Sequence, residues 1–356
     1  MTAASLPGRR AILRVAWLLG IIGFAACQPL AEDGAPIKTG AAAFYDGRNI
    51  RWIIPYSPGG GYDEYARLIA PFLEKYTGAR VDIYNMPGAG GMRGVNELFN
   101  APKNGLTIGT LNGSALIMNE LAGIRGADYK IAEFDFLGRI VADRRVFVVS
   151  LDSGYGSIEA VWSAGDKVKV GATGLGGSTY VDAVIANEVF GWGLDIIHGF
   201  DSSSVIHQAM LRGNIAGTWG SWGSVVGAVD VGRDKIILQS GRQRLEDLAD
   251  IPTTLELADR TADPERTTAI LNIWQVLQDV GRPVAAPPGT NPDRYQFLIE
   301  AFESAMNDAE FLALASRSGR PIDFATAAEM RQLVIDATVM PGSIRSLFVQ
   351  AIRGEL

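Results

Sequence analysis

The 356-residue chain carries 39 acidic against 32 basic residues, a formal charge of −7, with 47% hydrophobic residues, two His and one Cys. That balance argues against a body built on phosphate-backbone contacts, and the apolar content argues against a disordered chain. A single Cys excludes an intrachain disulfide and a cysteine-based zinc or iron–sulfur site, and two His are a poor basis for a metal centre.

The N-terminus is a different kind of sequence from the rest. Arg9, Arg10 and Arg14 precede the apolar run Val15–Ala26, and no acid occurs before Cys27. Twelve apolar residues are too few for a stable transmembrane helix and suit the core of an export signal. Phe24-Ala-Ala-Cys27 then resembles a bacterial lipobox, in which small residues precede a Cys that is acylated after cleavage. Residues 1–26 are therefore expected to be a signal peptide, and 27–46, rich in Ala, Gly and Pro, a lipidated Cys and flexible tether. Cleavage before Cys27 removes three Arg and no acid, taking the charge from −7 to −10.

Beyond the tether, strand and helix patterns alternate. Arg51-Trp-Ile-Ile-Pro55 reads as a strand leading into Ser57-Pro-Gly-Gly-Gly-Tyr-Asp63, and Tyr65, Ala66, Ile69, Ala70 and Leu73 then share one helix face. A strand at 80–84 runs into Met86-Pro-Gly-Ala-Gly-Gly91, followed by a short helix and a strand at 106–111. Later, Lys167–Gly171 runs into Thr173-Gly-Leu-Gly-Gly-Ser178 and a helix to about Phe190. A strand at 194–197, a helix from about 202 to 213 and a strand at 235–238 repeat the theme. This alternation predicts an α/β fold of mainly parallel sheets flanked by helices.

In such sheets, ligands sit at the carboxyl ends of strands, where loops enter helices. Three Gly-rich junctions (57–63, 86–92 and 173–179) allow close backbone approach, and helix N-termini offer free N–H groups. Together they predict an anion cradle that needs no Lys or Arg. Each glycine cluster taken singly is equally well explained as a tight turn. Catalytic signatures are missing: Gly174-Leu-Gly-Gly-Ser-Thr179 has no P-loop Lys and no dinucleotide fingerprint, and no Gly-x-Ser-x-Gly elbow occurs. His198 and His207 are badly spaced for a metal, and Asp63, Asp182 and Asp201 are scattered acids that helix capping would explain. No cofactor, no metal and no catalysis are expected.

Ile54-Pro-Tyr-Ser-Pro-Gly-Gly-Gly-Tyr-Asp63 with Ala66-Arg67, and Asn85-Met-Pro-Gly-Ala-Gly-Gly91, resemble the two opening motifs of the solute-binding proteins of tripartite tricarboxylate transporters. The likeness continues through Asn104-Gly-Leu-Thr107, Gly171–Thr179, Ile251-Pro-Thr253, Arg282–Thr290 and Asp308–Leu312. It implies a two-lobed periplasmic binding protein of the second type, with lobe 1 at 47–144 plus 241–356 and lobe 2 at 145–240. It also implies capture of a small di-, tri- or aromatic carboxylate by lobe closure and delivery to integral-membrane transporter subunits, by a monomer with no nucleic-acid partner. A sensory protein feeding a membrane kinase is the alternative.

Carried over by motif, the ligand-binding positions are Tyr56, Ser57, Gly59, Gly60, Asp63, Gly88 and Ala89 in the first lobe, with Ser114 beside them. Thr173, Gly176, Ser178 and Thr179 take the far end. Asp201 stands where many relatives have Lys. Trp219, near Trp222, falls either at the cleft, where it would favour a ring-bearing ligand, or in the core.

Overall fold

The computed structural model describes residues 39–164 and 168–355, so the expected signal peptide, the lipobox and Cys27 lie outside the described residues. Gly40–Tyr45, expected to belong to the tether, is helical. The reason is an anchor: the Tyr45 ring is fully buried and its hydroxyl donates to Gly105 O at 2.8 Å.

Eleven strands form among the described residues: β1 (Asn49–Ile54), β2 (Arg80–Asn85), β3 (Thr107–Thr110), β4 (Asp135–Arg139), β5 (Arg145–Ser150), β6 (Val168–Thr173), β7 (Leu194–Phe200), β8 (Gly217–Ser221), β9 (Asp234–Gln239), β10 (Pro283–Ala286) and β11 (Ala325–Thr326). They make two sheets, ordered β11-β4-β10-β3-β1-β2 and β7-β6-β8-β5-β9. Both sheets are mixed rather than mainly parallel. β1 pairs parallel with β2 and β3, and β6 with β7 and β8, as strand–helix alternation dictates. The antiparallel members are β10, β4 and β11 in the first sheet, and β5 against β8 and β9 in the second. β10 and β5 run this way because each arrives from the other sheet, the chain crossing twice, from β4 to β5 and from β9 to β10.

The two crossings run side by side. Ile140 N donates to Arg282 O and Arg282 N to Val141 O, both at 3.0 Å, while Ser240 N donates to Arg145 O at 2.7 Å. Five residues connect β4 to β5, so the strand ends on both sheets open onto one place beside this hinge.

The helix Gly61–Thr77 shows how sequence becomes layer. Tyr65, Ala66, Ile69 and Leu73 bury one face against the first sheet. Gly78 stops it in the left-handed conformation, φ +72°, its N–H closing onto Glu74 O. One apolar cluster runs through both lobes, joining Ile53 and Val95 to Phe147 and Val170 by way of Leu271 and Trp274 of the helix Pro264–Val280. The last helix, Gly342–Arg353, buries Leu347, Phe348, Ala351 and Ile352 in the same cluster. It packs on the helices at 113–121 and 178–190, one from each lobe.

Candidate ligand-binding cleft

Four helices begin at one point. A cavity of about 40 Å³ is lined by Gly60, Gly61 and Tyr62 at the start of Gly61–Thr77, and by Ser178 and Thr179 at the start of Ser178–Phe190. Ser202 and Ser203 open Ser203–Leu211 onto it, and Ser221 and Ser224 do so for Trp222–Asp230. None of these N-termini carries a side-chain cap. First-turn N–H groups have no partner within their helix, and each helix start carries roughly half a positive charge. The walls contribute ring faces: Tyr56 and Tyr62 meet at 4.7 Å between centroids.

The hinge contributes charge. Arg145, at the head of β5, and Arg282, just before β10, are 3% and 0% exposed and both line the cavity. Arg282 Nε donates to Asp143 Oδ1 at 3.1 Å, and its Nη2 to Ser221 Oγ and Ser224 Oγ, both at 2.7 Å. Its guanidinium lies between the Tyr62 and Tyr65 rings, 4.5 and 4.9 Å from their centroids. Arg145 Nε donates to Asp182 Oδ2 at 2.5 Å and its Nη1 sits 3.7 Å from Asp143 Oδ2. Burial raises the Asp182 carboxyl above the usual carboxylate range, a shift that Arg145 and the Trp274 indole N–H oppose. Arg145 Nη2, Arg282 Nη1 and Tyr62 Oη are buried without a hydrogen-bond partner.

A second chamber of about 100 Å³ adjoins the first, sharing Tyr56 and Thr173 as walls. Gly88 to Gly91 line one side of it, and Gly174 with Gly199 to Asp201 the other. The two lobes touch around both chambers. Asn112 Nδ2 bridges Tyr56 Oη (2.7 Å) and Ser178 Oγ (3.1 Å), Asn119 Nδ2 donates to Gly176 O at 3.1 Å, and Ser57 N reaches Asp201 O at 3.5 Å. Burial pushes the Tyr56 hydroxyl up to about 12, so it stays protonated at neutral pH and donates to Gly90 O at 3.3 Å.

Of the residues expected at the site, Tyr56, Gly60, Thr173, Ser178 and Thr179 line the first chamber, and Gly88, Ala89 and Asp201 the second. Others hold the scaffold. Gly59 N–H and Asp63 are spent on each other: Asp63 Oδ2 accepts from Gly59 N (3.0 Å) and Arg67 Nε (2.9 Å), and Oδ1 from Asn85 Nδ2 (3.0 Å). Ser57 and Gly176 bridge the lobes through backbone atoms outside both chambers. Ser114 Oγ turns to Asn112 Oδ1 at 3.4 Å. Trp219 is in the core, stacked on Phe147 at 5.3 Å and edge-on to Trp274, while Gly220 and Ser221 at the end of β8 line the cavity. Trp222 packs in the second lobe's apolar cluster with Val225 and Ile236.

Arg145, Arg282, Ser202, Ser221 and Ser224 escaped sequence reasoning. One signal was available for the arginines. Each opens an otherwise apolar strand, Arg145-Val-Phe-Val-Val and Arg282-Pro-Val-Ala-Ala, where burying a lone charge is costly without a purpose.

Burial alone would raise the Asp63 carboxyl, but its bonds to Arg67, Gly59 and Asn85 outweigh this and hold it below the usual range. A depressed carboxylate stabilises the fold above its unfolded value, about 3.9, and loses that contribution as pH falls through its folded value. Asp63→Asn is therefore expected to cost about 1–3 kcal/mol at pH 7, shrinking towards zero below about pH 3. Urea midpoints of both proteins across pH check this.

No family model matches the chain. It is 29% identical over 147 residues to a UPF0065 protein from the tcbD-tcbE intergenic region of Pseudomonas sp. strain P51, covering 40% of this chain and 43% of that one. It is 33% identical over 117 residues to protein BugT of Bordetella pertussis, covering 33% and 34%. The matches thus span less than half the length of these curated relatives. The periplasmic binding protein BugD shares the fold, with TM-score 0.73 and 19% identity over 86% of this chain and 98% of that one. So does MatC from Rhodopseudomonas palustris, solved with bound malate, with TM-score 0.68 and 19% identity over 86% and 99%.

The chain thus shares part of its sequence with these two relatives and its fold with periplasmic binding proteins. Two of the three Gly-rich loops, at 86–92 and 173–179, line the second chamber through Gly88 to Gly91 and Gly174, and the third lines the first chamber through Gly60 and Gly61.

Proposed function

We propose that this chain is an extracytoplasmic solute-binding protein, tethered through Cys27. It captures a small organic carboxylate by closure of its two lobes and delivers it to a tripartite tricarboxylate-type membrane transporter. The observation that carries the reading is the convergence of four uncapped helix N-termini on one cavity between the lobes. Helix starts attract anions, and here they do so inside a body whose net charge repels them at long range. The fold of BugD and of malate-bound MatC supports the same reading. So does the side-chain chemistry: neither His lines either chamber, His198 lying edge-on to Tyr180 and His207 bonded to Asp234.

A ligand that binds only the folded state stabilises it by about 2.7 kcal/mol at a hundredfold excess over its dissociation constant. Thermal unfolding of residues 28–356 against linear diacids, malate, citrate and benzoate, each beside its amide, is expected to shift with an acid and not with its amide. Shifts with amines or neutral compounds alone would overturn the carboxylate reading.

A further inference from the structure

Resting on the carboxylate reading, we propose that the hinge arginines Arg145 and Arg282 take one carboxylate of the ligand directly, and that the ligand is a short-chain acid. The helix starts and glycine loops explain why an anion is welcome. They do not explain two guanidinium groups buried to 3% and 0% exposure in the wall of the cavity, each with one nitrogen left without a partner. A buried donor without a partner costs about 1–3 kcal/mol, more on a charged group, and is unusual unless something else fills it.

The partners these residues do have leave those nitrogens free. Arg282 is fixed at Nε by Asp143 and at Nη2 by Ser221 and Ser224, and Nη1 remains. Arg145 is fixed at Nε by Asp182 and lies beside Asp143 through Nη1, and Nη2 remains. Asp143 and Asp182 balance the two positive charges, so the fold tolerates the pair while empty. An incoming carboxylate is then offset by the four helix starts, while Nη1 and Nη2 supply charge-assisted hydrogen bonds. The nearby Tyr62 hydroxyl, also unpartnered, is a third donor.

Size sets the class of ligand. The chamber holding the arginines has about 40 Å³, room for about three waters by the usual 10–15 Å³ each and hence for little beyond one carboxylate. The remainder of the ligand passes between Tyr56 and Thr173 into the glycine-lined chamber of about 100 Å³. Asp201 lines only that second chamber and is exposed, so water screens its charge from the ligand's far carboxylate. By the same measure the second chamber has room for about seven to ten waters, space that a short chain ending in a second carboxylate fills.

The test is calorimetric titration of linear diacids from three to six carbons, citrate, benzoate and the diacids' monoamides into wild type, Arg145→Lys and Arg282→Lys. Lysine keeps the positive charge beside Asp143 or Asp182 but loses the planar second nitrogen. The expected result is that a three- to five-carbon diacid binds wild type most tightly. In each variant the acid-to-amide affinity ratio should then fall at least tenfold. A merely structural defect would weaken acid and amide alike and leave the ratio intact, which overturns the arginine assignment while leaving the carboxylate function standing. Preference for citrate or benzoate overturns the size class. Binding of no acid by wild type overturns both this inference and the function it rests on.

Discussion

Gly174→Ala is expected to weaken ligand binding by about tenfold to a hundredfold while leaving the fold intact. A Cβ on Gly174 would lie 2.8 Å from Gly90 N and 3.4 Å from Gly90 Cα, with Ala89 C next nearest, all atoms of the opposite lobe. The substitution therefore collides only when the lobes are together. Gly174 lies outside the left-handed region, so alanine brings no backbone strain of its own. Overpacking costs typically 1–3 kcal/mol, and each 1.4 kcal/mol taken from the closed state alone is a tenfold loss of affinity. Gly90→Ala approaches the same contact from the other side, its Cβ 2.7 Å from Leu175 O and 2.9 Å from Gly177 N. There φ is +65°, so part of its cost is paid in the open state too. Titration calorimetry, with small-angle scattering before and after ligand, separates the outcomes. Unchanged affinity in Gly174→Ala would mean that binding does not require the lobes to meet at this contact.

Arg282→Met is expected to be the most destabilising single change at the site, by about 3–5 kcal/mol, because it strands a buried carboxylate rather than because it removes an attraction. Asp143 is 1% exposed, and its Oδ1 depends on Arg282 Nε. Its other oxygen has only Arg145, 3.7 Å away. The substitution also takes the donor from Ser221 Oγ and Ser224 Oγ at the start of the helix Trp222–Asp230. If the stranded charge is the cause, the double variant Arg282→Met with Asp143→Asn should recover most of the loss, since the pair is coupled and the single costs do not add. Urea unfolding of the single and double variants measures it. A double variant no more stable than Arg282→Met would place the cost in lost packing between Tyr62 and Tyr65 instead.

Both predictions rest on contacts between segments far apart in sequence, and these are what a linear reading misses. Local patterns are legible because their cause is local. The face made by Tyr65, Ala66, Ile69 and Leu73, the left-handed stop at Gly78 and the three strand–glycine–helix junctions each depend on residues within a turn or two. Strand–helix alternation likewise implies the parallel halves of both sheets, β1 with β2 and β3, β6 with β7 and β8. The motifs of the first two loops carried the resemblance to solute-binding proteins of tripartite tricarboxylate transporters.

Other features were settled by tertiary structure alone. Asp63 looks like a candidate ligand contact in a loop motif, yet three donors from Gly59, Arg67 and Asn85 consume it. Trp219 looks like a cleft aromatic, yet it packs in the core against Phe147 and Trp274. Arg145 and Arg282, 137 residues apart in sequence, meet because two hinge crossings run side by side, joined by the hydrogen bonds of Ile140 and Arg282. The sequence by itself determined the α/β class, the glycine turns and the helix starts, since propensity and spacing act over a few residues. Which of those helix starts share a cavity, and that charged side chains stand beside them, was decided by the packing of two mixed sheets, because a buried charge gains its partners only from the folded neighbourhood.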